Sequence, residues 1–495
     1  MSPPLVPHDR LETGVAGLDR VLGGGLLRGG LHVVAGRAGV GKTTLASQIA
    51  FHSVARGARA VYATFLVEPH ERLLHQLRSF AFFDGARVGR ELVYLDAYPA
   101  FRAGGLDALT GALRGMIRDR DASLLVLDGL PSAEDLRAAP LEHRAFLVEL
   151  QASLVALDCT ALLVTSGDAD HATADGVFEL ASTRAELRRV RELTVRKLRG
   201  GGHIDGTHVF RVTSDGVVVY PRLEAIEPDA PGATAPVQDG RVPFGVAGLD
   251  DLFSGGVARG STTLLLGPSG AGKTILGLHF LAAGAASGDK ALHFGFHERS
   301  QVLLRKGDRL GMRLSEHAAA GDLVVHWEQP SEALLDQVMA DLLAIVERER
   351  VRRLFIDGFA GLRTAVHPER LAGMLAAAAE LLSRAGVTTL VTDETRELYV
   401  KDVSVSTPNV SATFDNIVLL RRVLLHAQLV HQLSIMKTRD TPHDNRAWEL
   451  AVTREGMFLV APFDTPEARR LRGDGSGAIP KERPATMPRR RPKRE

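Results

Sequence analysis

The chain has 495 residues, 45% of them hydrophobic and 24% charged, with a formal net charge of +1. That length exceeds one ordinary core and suits two domains of about 200 residues or three smaller ones, and the composition excludes a chain disordered throughout. The near-zero charge argues against a strongly basic nucleic-acid binder, Cys159 as the only cysteine excludes an internal disulfide or a multi-cysteine zinc site, and no apolar run approaches the roughly 20 residues that span a bilayer.

The first residues, MSPPLVPHDRLETG, lack the basic, apolar, small-residue order of a signal peptide, so a cytoplasmic protein is expected. TGVAGLD (13–19) is followed by the apolar run LHVVAG (31–36), the loop GRAGVGKT (36–43) and a longer apolar segment, which reads as strand, Gly-rich turn and helix. Each fixed position of that loop has a mechanical reason. Gly36, Gly39 and Gly41 let backbone N–H groups turn inward around phosphate oxygens at the positive end of the next helix. Lys42 is placed to reach the β- and γ-phosphates of ATP and Thr43 to ligate Mg²⁺, with Thr44 beside them as a further ATP contact. AVYATF (60–65), LLVLD (124–128) and ALLVT (161–165) suit strands buried on both faces, and Asp128 ends its run where an acid orients the Mg²⁺ ligand shell. KLRGGGH (197–203) precedes FRVTSDGVVVYP (210–221), whose Asp-Gly between apolar runs reads as a β-hairpin.

After residues 224–241, rich in Pro, Ala, Gly and acid, the whole series returns. FGVAGLD (244–250) and GPSGAGKT (267–274) lie 231 residues beyond their counterparts, and KTRDTPH (437–443) and LAVTREGMFLVAP (450–462) lie 240 beyond theirs. The second set of candidate ATP contacts is therefore Gly267, Gly270, Gly272, Lys273 and Thr274, with Thr274 and Asp357 (ending RLFID) as metal ligands. A repeat of this length is a duplicated domain, since solenoid units are far shorter. The expected fold is α/β: two tandem P-loop NTPase domains, each a mostly parallel twisted sheet flanked by helices with a C-terminal β-hairpin. The boundaries are 1–223, a linker at 224–241, 242–463, and a disordered Pro/Arg-rich tail at 464–495. Residues 481–495 carry seven Lys/Arg against two Glu. Such a tail either solubilises the chain or contacts an acidic partner or nucleic acid.

The GVAGLD entry, the P-loop and a K-x-R-x-x-x-H segment ahead of a terminal hairpin together resemble the KaiC family of RecA-like ATPases, over about residues 11–222 and 242–463. The resemblance implies a homo-hexamer of two-tiered subunits with ATP at subunit interfaces. It also implies that Lys197, Arg199 and His203 in one tier, and Lys437, Arg439 and His443 in the other, face nucleotide held by the neighbouring subunit. Added positive charge at a γ-phosphate in transfer is physically apt.

The chain departs from that family at the pair of glutamates expected after the strand that follows the P-loop helix. The first copy reads Thr64-Phe65-Leu66-Val67-Glu68-Pro69, with the acid one residue late, so Glu68 suits the first turn of the next helix as well as it suits catalysis. The second copy reads Phe296-His297-Glu298 and keeps one glutamate. Catalysis is therefore assigned to Glu298 with the loop lysines Lys273 and Lys42, and hydrolysis is expected in the second domain. His297 either accepts a proton or packs passively. The family's autophosphorylated Ser-Thr pair falls on Ser411 and Ala412, which leaves Ser411 as a serine/threonine autokinase acceptor.

Three functions compete. The first is a signalling or regulatory hexameric ATPase with an unnamed protein partner, and the second is a non-hydrolysing ATP-dependent scaffold. The third is a DNA-directed RecA-like ATPase. The stretches after Asp128 and Asp357 are neither long nor strongly basic, which leaves the tail as the route to nucleic acid, and nothing points to a membrane.

Overall fold

The computed structural model describes residues 10–65, 70–130, 140–166, 173–185, 188–226, 240–329, 334–358, 368–395, 413–425, 428–439, 443–444 and 446–462. Glu68, Ser411, most of the linker and the tail lie outside the described residues. The chain divides into two compact units, and two nine-stranded sheets form their frameworks.

In the first repeat a short ribbon pairs β1 (Arg10–Leu11) with β2 (Leu26–Leu27). The sheet then comprises β3 (Leu31–Gly36), β4 (Ala60–Thr64), β5 (Leu92–Asp96), β6 (Leu124–Asp128), β7 (Thr160–Thr165), β8 (Gly176–Ala185), β9 (Arg188–Leu198), β10 (Thr207–Thr213) and β11 (Gly216–Tyr220). Its order is β5-β4-β6-β7-β3-β8-β9-β10-β11, parallel as far as β8 and antiparallel beyond. The runs of Leu, Val and Ala are continuous because helices cover both faces. Alternate residues serve different cores. Val34, Tyr62, Val126 and Leu162 pack with the helix Lys42–Ala55. Val33, Val61, Leu125 and Leu163 pack with the helices Tyr98–Arg120 and Pro140–Ala156.

The second repeat reproduces this plan. A ribbon of β12 (Arg241–Val242) and β13 (Val257–Ala258) precedes β14 (Thr262–Gly267), β15 (Ala291–Gly295), β16 (Leu323–Trp327), β17 (Arg353–Asp357), β18 (Thr388–Glu394), β19 (Asn416–Leu425), β20 (Gln428–Lys437), β21 (Trp448–Thr453) and β22 (Gly456–Pro462). The order β16-β15-β17-β18-β14-β19-β20-β21-β22 matches the first sheet strand for strand. Both sheets fit the expected RecA-like architecture.

The expected terminal hairpins are present: Thr213 pairs with Gly216 and Thr453 with Gly456, each closing a two-residue turn. A longer hairpin precedes each one, β8–β9 and β19–β20, unmarked in the sequence because neither tip carries an Asn-Gly or Asp-Gly pair. The repeated entry motif also has a structural cause. Asp19 Oδ1 accepts from Thr13 N and Oγ1 at 2.9 and 2.8 Å, and Asp250 Oδ1 accepts from Phe244 N at 2.5 Å, so the acid ties each turn to its own start. Among the described residues no helix is long and apolar enough to cross a membrane.

Candidate nucleotide-binding sites

Each P-loop joins a central strand to a helix at the carboxyl end of the parallel strands, where open α/β sheets take their ligands. Gly39 and Gly41 in the first loop have φ of 78° and 118°, and Gly270 and Gly272 in the second have 75° and 99°. These left-handed angles need glycine. Gly36 and Gly267 add a steric demand, because a Cβ there would stand 2.2 Å from the carbonyl oxygens of Leu180 and Leu420 on the adjoining strand. The helices Lys42–Ala55 and Lys273–Ala286 start directly on the loop lysines, with Thr43, Thr44 and Thr274 in the first turn.

Both lysines curl over their own loop. Lys42 Nζ donates to Gly36 O at 2.6 Å and Arg37 O at 3.0 Å, and Lys273 Nζ donates to Gly267 O and Pro268 O at 2.7 and 2.9 Å. Burial lowers the pKa of each ammonium, and nearby acids oppose that. In the first repeat the opposing acid is Asp128, whereas Lys273 faces Glu394, Asp357 and Asp393. Asp393 and Glu394 end β18, beside the P-loop strand; β7 ends there in Thr165, followed by Ser166. The sequence pattern ends its apolar run at Asp393 without revealing that this end lies against the loop.

The strand-terminal acids are where the pattern puts them, but their surroundings differ. Asp128 Oδ2 accepts from the Tyr62 hydroxyl at 2.9 Å. Burial raises its pKa from the ordinary value, and hydrogen bonds from Tyr62 and Thr43, with the charge of Lys42, offset this only in part. Asp357 Oδ2 accepts from Thr274 Oγ1 at 2.9 Å, and its Oδ1 accepts from Thr392 Oγ1 at 2.8 Å. His293, in the position of Tyr62, stands 4.0 Å away, too far for a hydrogen bond. Burial pushes this acid upward too, and the hydrogen bonds from the Thr392 and Thr274 hydroxyls oppose it. Tyr62, His293 and Thr392 are additions to the predicted site. Each occupies a buried strand position, where sequence reading finds only core.

Glu298 lies just past β15, in the loop after Gly295, which is paired with Asp357. Its Oε1 accepts from Lys306 Nζ at 2.7 Å. His297 is exposed and its ring lies beside Gly358, where a Cβ would meet it at 2.5 Å.

The basic segments occupy the opposite end of each sheet. Arg199 N donates to Asp175 O at 2.7 Å, and the Asp175 carboxylate accepts from Leu31 N, the first residue of the P-loop strand. Lys197 is paired with Val177. In the second repeat Asp415 accepts from both Arg439 and Thr262 N, while Lys437 Nζ donates to Phe414 O at 2.7 Å. His203 Nε2 lies 3.0 Å from Asp205, and His443 Nδ1 lies 2.8 Å from Thr438 Oγ1. Leu31 and Gly36 are the two ends of β3, so these cations stand a strand length, about 17 Å, from the loop of their own repeat. The structure does not bring them together with that loop.

Duplicated doubly-wound sheets carrying a complete P-loop and a strand-terminal acid define a tandem P-loop NTPase. A family model described as "ATPase: KaiC" matches residues 11–224 and 242–462. The chain belongs to the KaiC family. It is 26% identical over 475 residues to the circadian clock protein KaiC3 of Synechocystis sp., covering 92% of both chains. It is 25% identical to the circadian clock oscillator protein KaiC of Picosynechococcus sp., covering 92% of this chain and 90% of that one. It is also 25% identical to the same-named protein of Synechococcus elongatus, covering 92% and 89%.

Proposed function

We propose that the chain is a cytoplasmic regulatory ATPase that binds Mg-ATP in both repeats, assembles as a hexamer with ATP at subunit interfaces, and hydrolyses it in the second repeat. The observation that carries this is local to the second repeat. Lys273, Thr274 and Asp357 stand at one end of its sheet, and a glutamate, Glu298, follows the neighbouring strand there. The first repeat has Leu66 and Val67 at the corresponding positions.

The donor set fits Mg²⁺, because a threonine hydroxyl and a carboxylate oxygen already in contact are hard oxygen ligands, and phosphate oxygens and water complete such a site. Thr274 with Asp357, and Thr43 with Asp128, would hold the ion, whose chemistry when bound is to neutralise phosphate charge. Lys42 and Lys273 would leave their loop carbonyls for phosphate oxygens, and the loop N–H groups would cradle the rest. Glu298 would accept the proton of the attacking water. Lys197, Arg199, His203, Lys437, Arg439 and His443 would act on the neighbouring subunit's nucleotide, and their distance from their own loops supports that direction. Autophosphorylation at Ser411 belongs to the same proposal; mass spectrometry after incubation with Mg-ATP detects it, and an unmodified Ser411 rejects it. The proposed domains are 1–223 and 242–463, with 224–241 as linker.

Phosphate release by the purified oligomer, with its mass measured alongside, tests the whole proposal. Six-subunit particles with Mg²⁺-dependent turnover support it. Six-subunit particles that bind ATP without turnover establish the scaffold instead, which the two apolar positions in the first repeat favour. DNA affinity retained without residues 473–495 would support a DNA-directed ATPase.

A further inference from the structure

Glu298 has an unequal pair of oxygens. Oε1 accepts from Lys306 Nζ at 2.7 Å, while Oε2 is buried and accepts no hydrogen bond from any described residue. A carboxylate can accept at both oxygens, and leaving one buried and unpaired is costly. A partly exposed ion pair adds little to stability, so stabilisation alone is a poor account of the Lys306 contact.

The anchor itself is firmly rooted. Lys306 rides on the helix Ser300–Arg309, which buries Leu303 and Gly307. Gly307 lies so close to Leu314 that a Cβ would stand 2.2 Å from it, which fixes how that turn seats. Arg299, the cation nearest to Glu298 in sequence, instead lies over the Trp327 ring at 5.4 Å. Counted from its first residue, the helix His70–Leu77 of the first repeat has Gln76 in the seventh place, which Lys306 takes in the second.

We propose that Lys306 is the positioning residue for Glu298: it pins Oε1 and leaves Oε2 as the oxygen that takes the proton from attacking water. This rests on Glu298 being the base. The anchor holds the carboxylate in one rotamer, so the cost of orienting it is met before nucleotide arrives.

The test is steady-state kinetics on the full chain for Glu298→Gln, Lys306→Met, Lys306→Arg and the Glu298→Gln/Lys306→Met double variant. Glu298→Gln lowers kcat by about a hundredfold or more. Lys306→Met lowers kcat on the order of tenfold with KM for ATP unchanged, and Lys306→Arg recovers most of it. The double variant is no slower than Glu298→Gln, because a residue acting only through the base has nothing left to position. Wild-type kcat in Lys306→Met, or losses that multiply in the double variant, overturn the proposal and leave the base assignment standing. Unaffected turnover in Glu298→Gln, or none in the unmodified chain, overturns the base assignment and the proposal with it. If Lys306→Met does not fold, Lys306→Gln carries the same comparison.

Discussion

His279 Nε2 accepts the backbone N–H of Met457 at 2.8 Å, which ties the P-loop helix of the second repeat to its terminal hairpin. In the first repeat Gln48 Oε1 makes the same tie to Val217 N at 2.7 Å. The amide cannot titrate, whereas the imidazole must stay neutral to accept.

Burial lowers the His279 pKa from its ordinary value, and a hydrogen bond with the Gly245 backbone only partly opposes it. Its neutral form therefore contributes stability that is complete above about pH 6.5 and is lost as the pH falls from there toward the depressed folded value. Urea unfolding of His279→Gln and wild type at pH 7.5 and 5.5 should show the wild type losing more, by of order 1 kcal/mol. Equal losses would mean that His279 does not titrate across folding.

The loop glycines separate two causes. At Gly39 a Cβ would meet nothing within 4 Å, so Gly39→Ala bears only the left-handed backbone, about 1–2 kcal/mol. At Gly36 the same change also drives a Cβ into the Leu180 carbonyl. ATP binding by titration should survive Gly39→Ala with modest weakening and fail in Gly36→Ala. Equal effects would contradict the steric account.

Lys437 and Arg439 stand at the sheet end away from Lys273, so they should serve another subunit. The Lys437→Ala/Arg439→Ala chain should bind ATP normally yet turn it over at least about tenfold more slowly. Mixed with inactive Lys273→Ala subunits, which keep both basic residues, it should recover activity. No recovery in verified mixed oligomers would place these residues in cis or outside catalysis.

Much of this arrangement is legible in the sequence because backbone demands leave spacing signatures. Gly36, Gly39 and Gly41 recur as Gly267, Gly270 and Gly272, and Asp128 and Asp357 each end an apolar run. The two sheets share one strand order for the same reason. What is not legible depends on contacts between strands. Tyr62 and His293 stand among buried alternating residues and read as core until their strand is laid beside β6 or β17. Asp393 and Glu394 gain meaning only from the pairing of Gly267 with Glu394. Lys306 is a helix-surface lysine until the loop folds back to it. The pairing of Lys437 with Arg439 is visible in sequence, but their placement a strand length from the loop is not.

The central claim is that ATP binds in both repeats and is hydrolysed in the second. The most direct measurement is ATP turnover by Lys42→Ala and Lys273→Ala chains in oligomers of verified size. Lys273→Ala should abolish most turnover, and Lys42→Ala should weaken assembly while intact oligomers keep most of theirs. Loss of most turnover in intact Lys42→Ala oligomers, with Lys273→Ala still active, would contradict it.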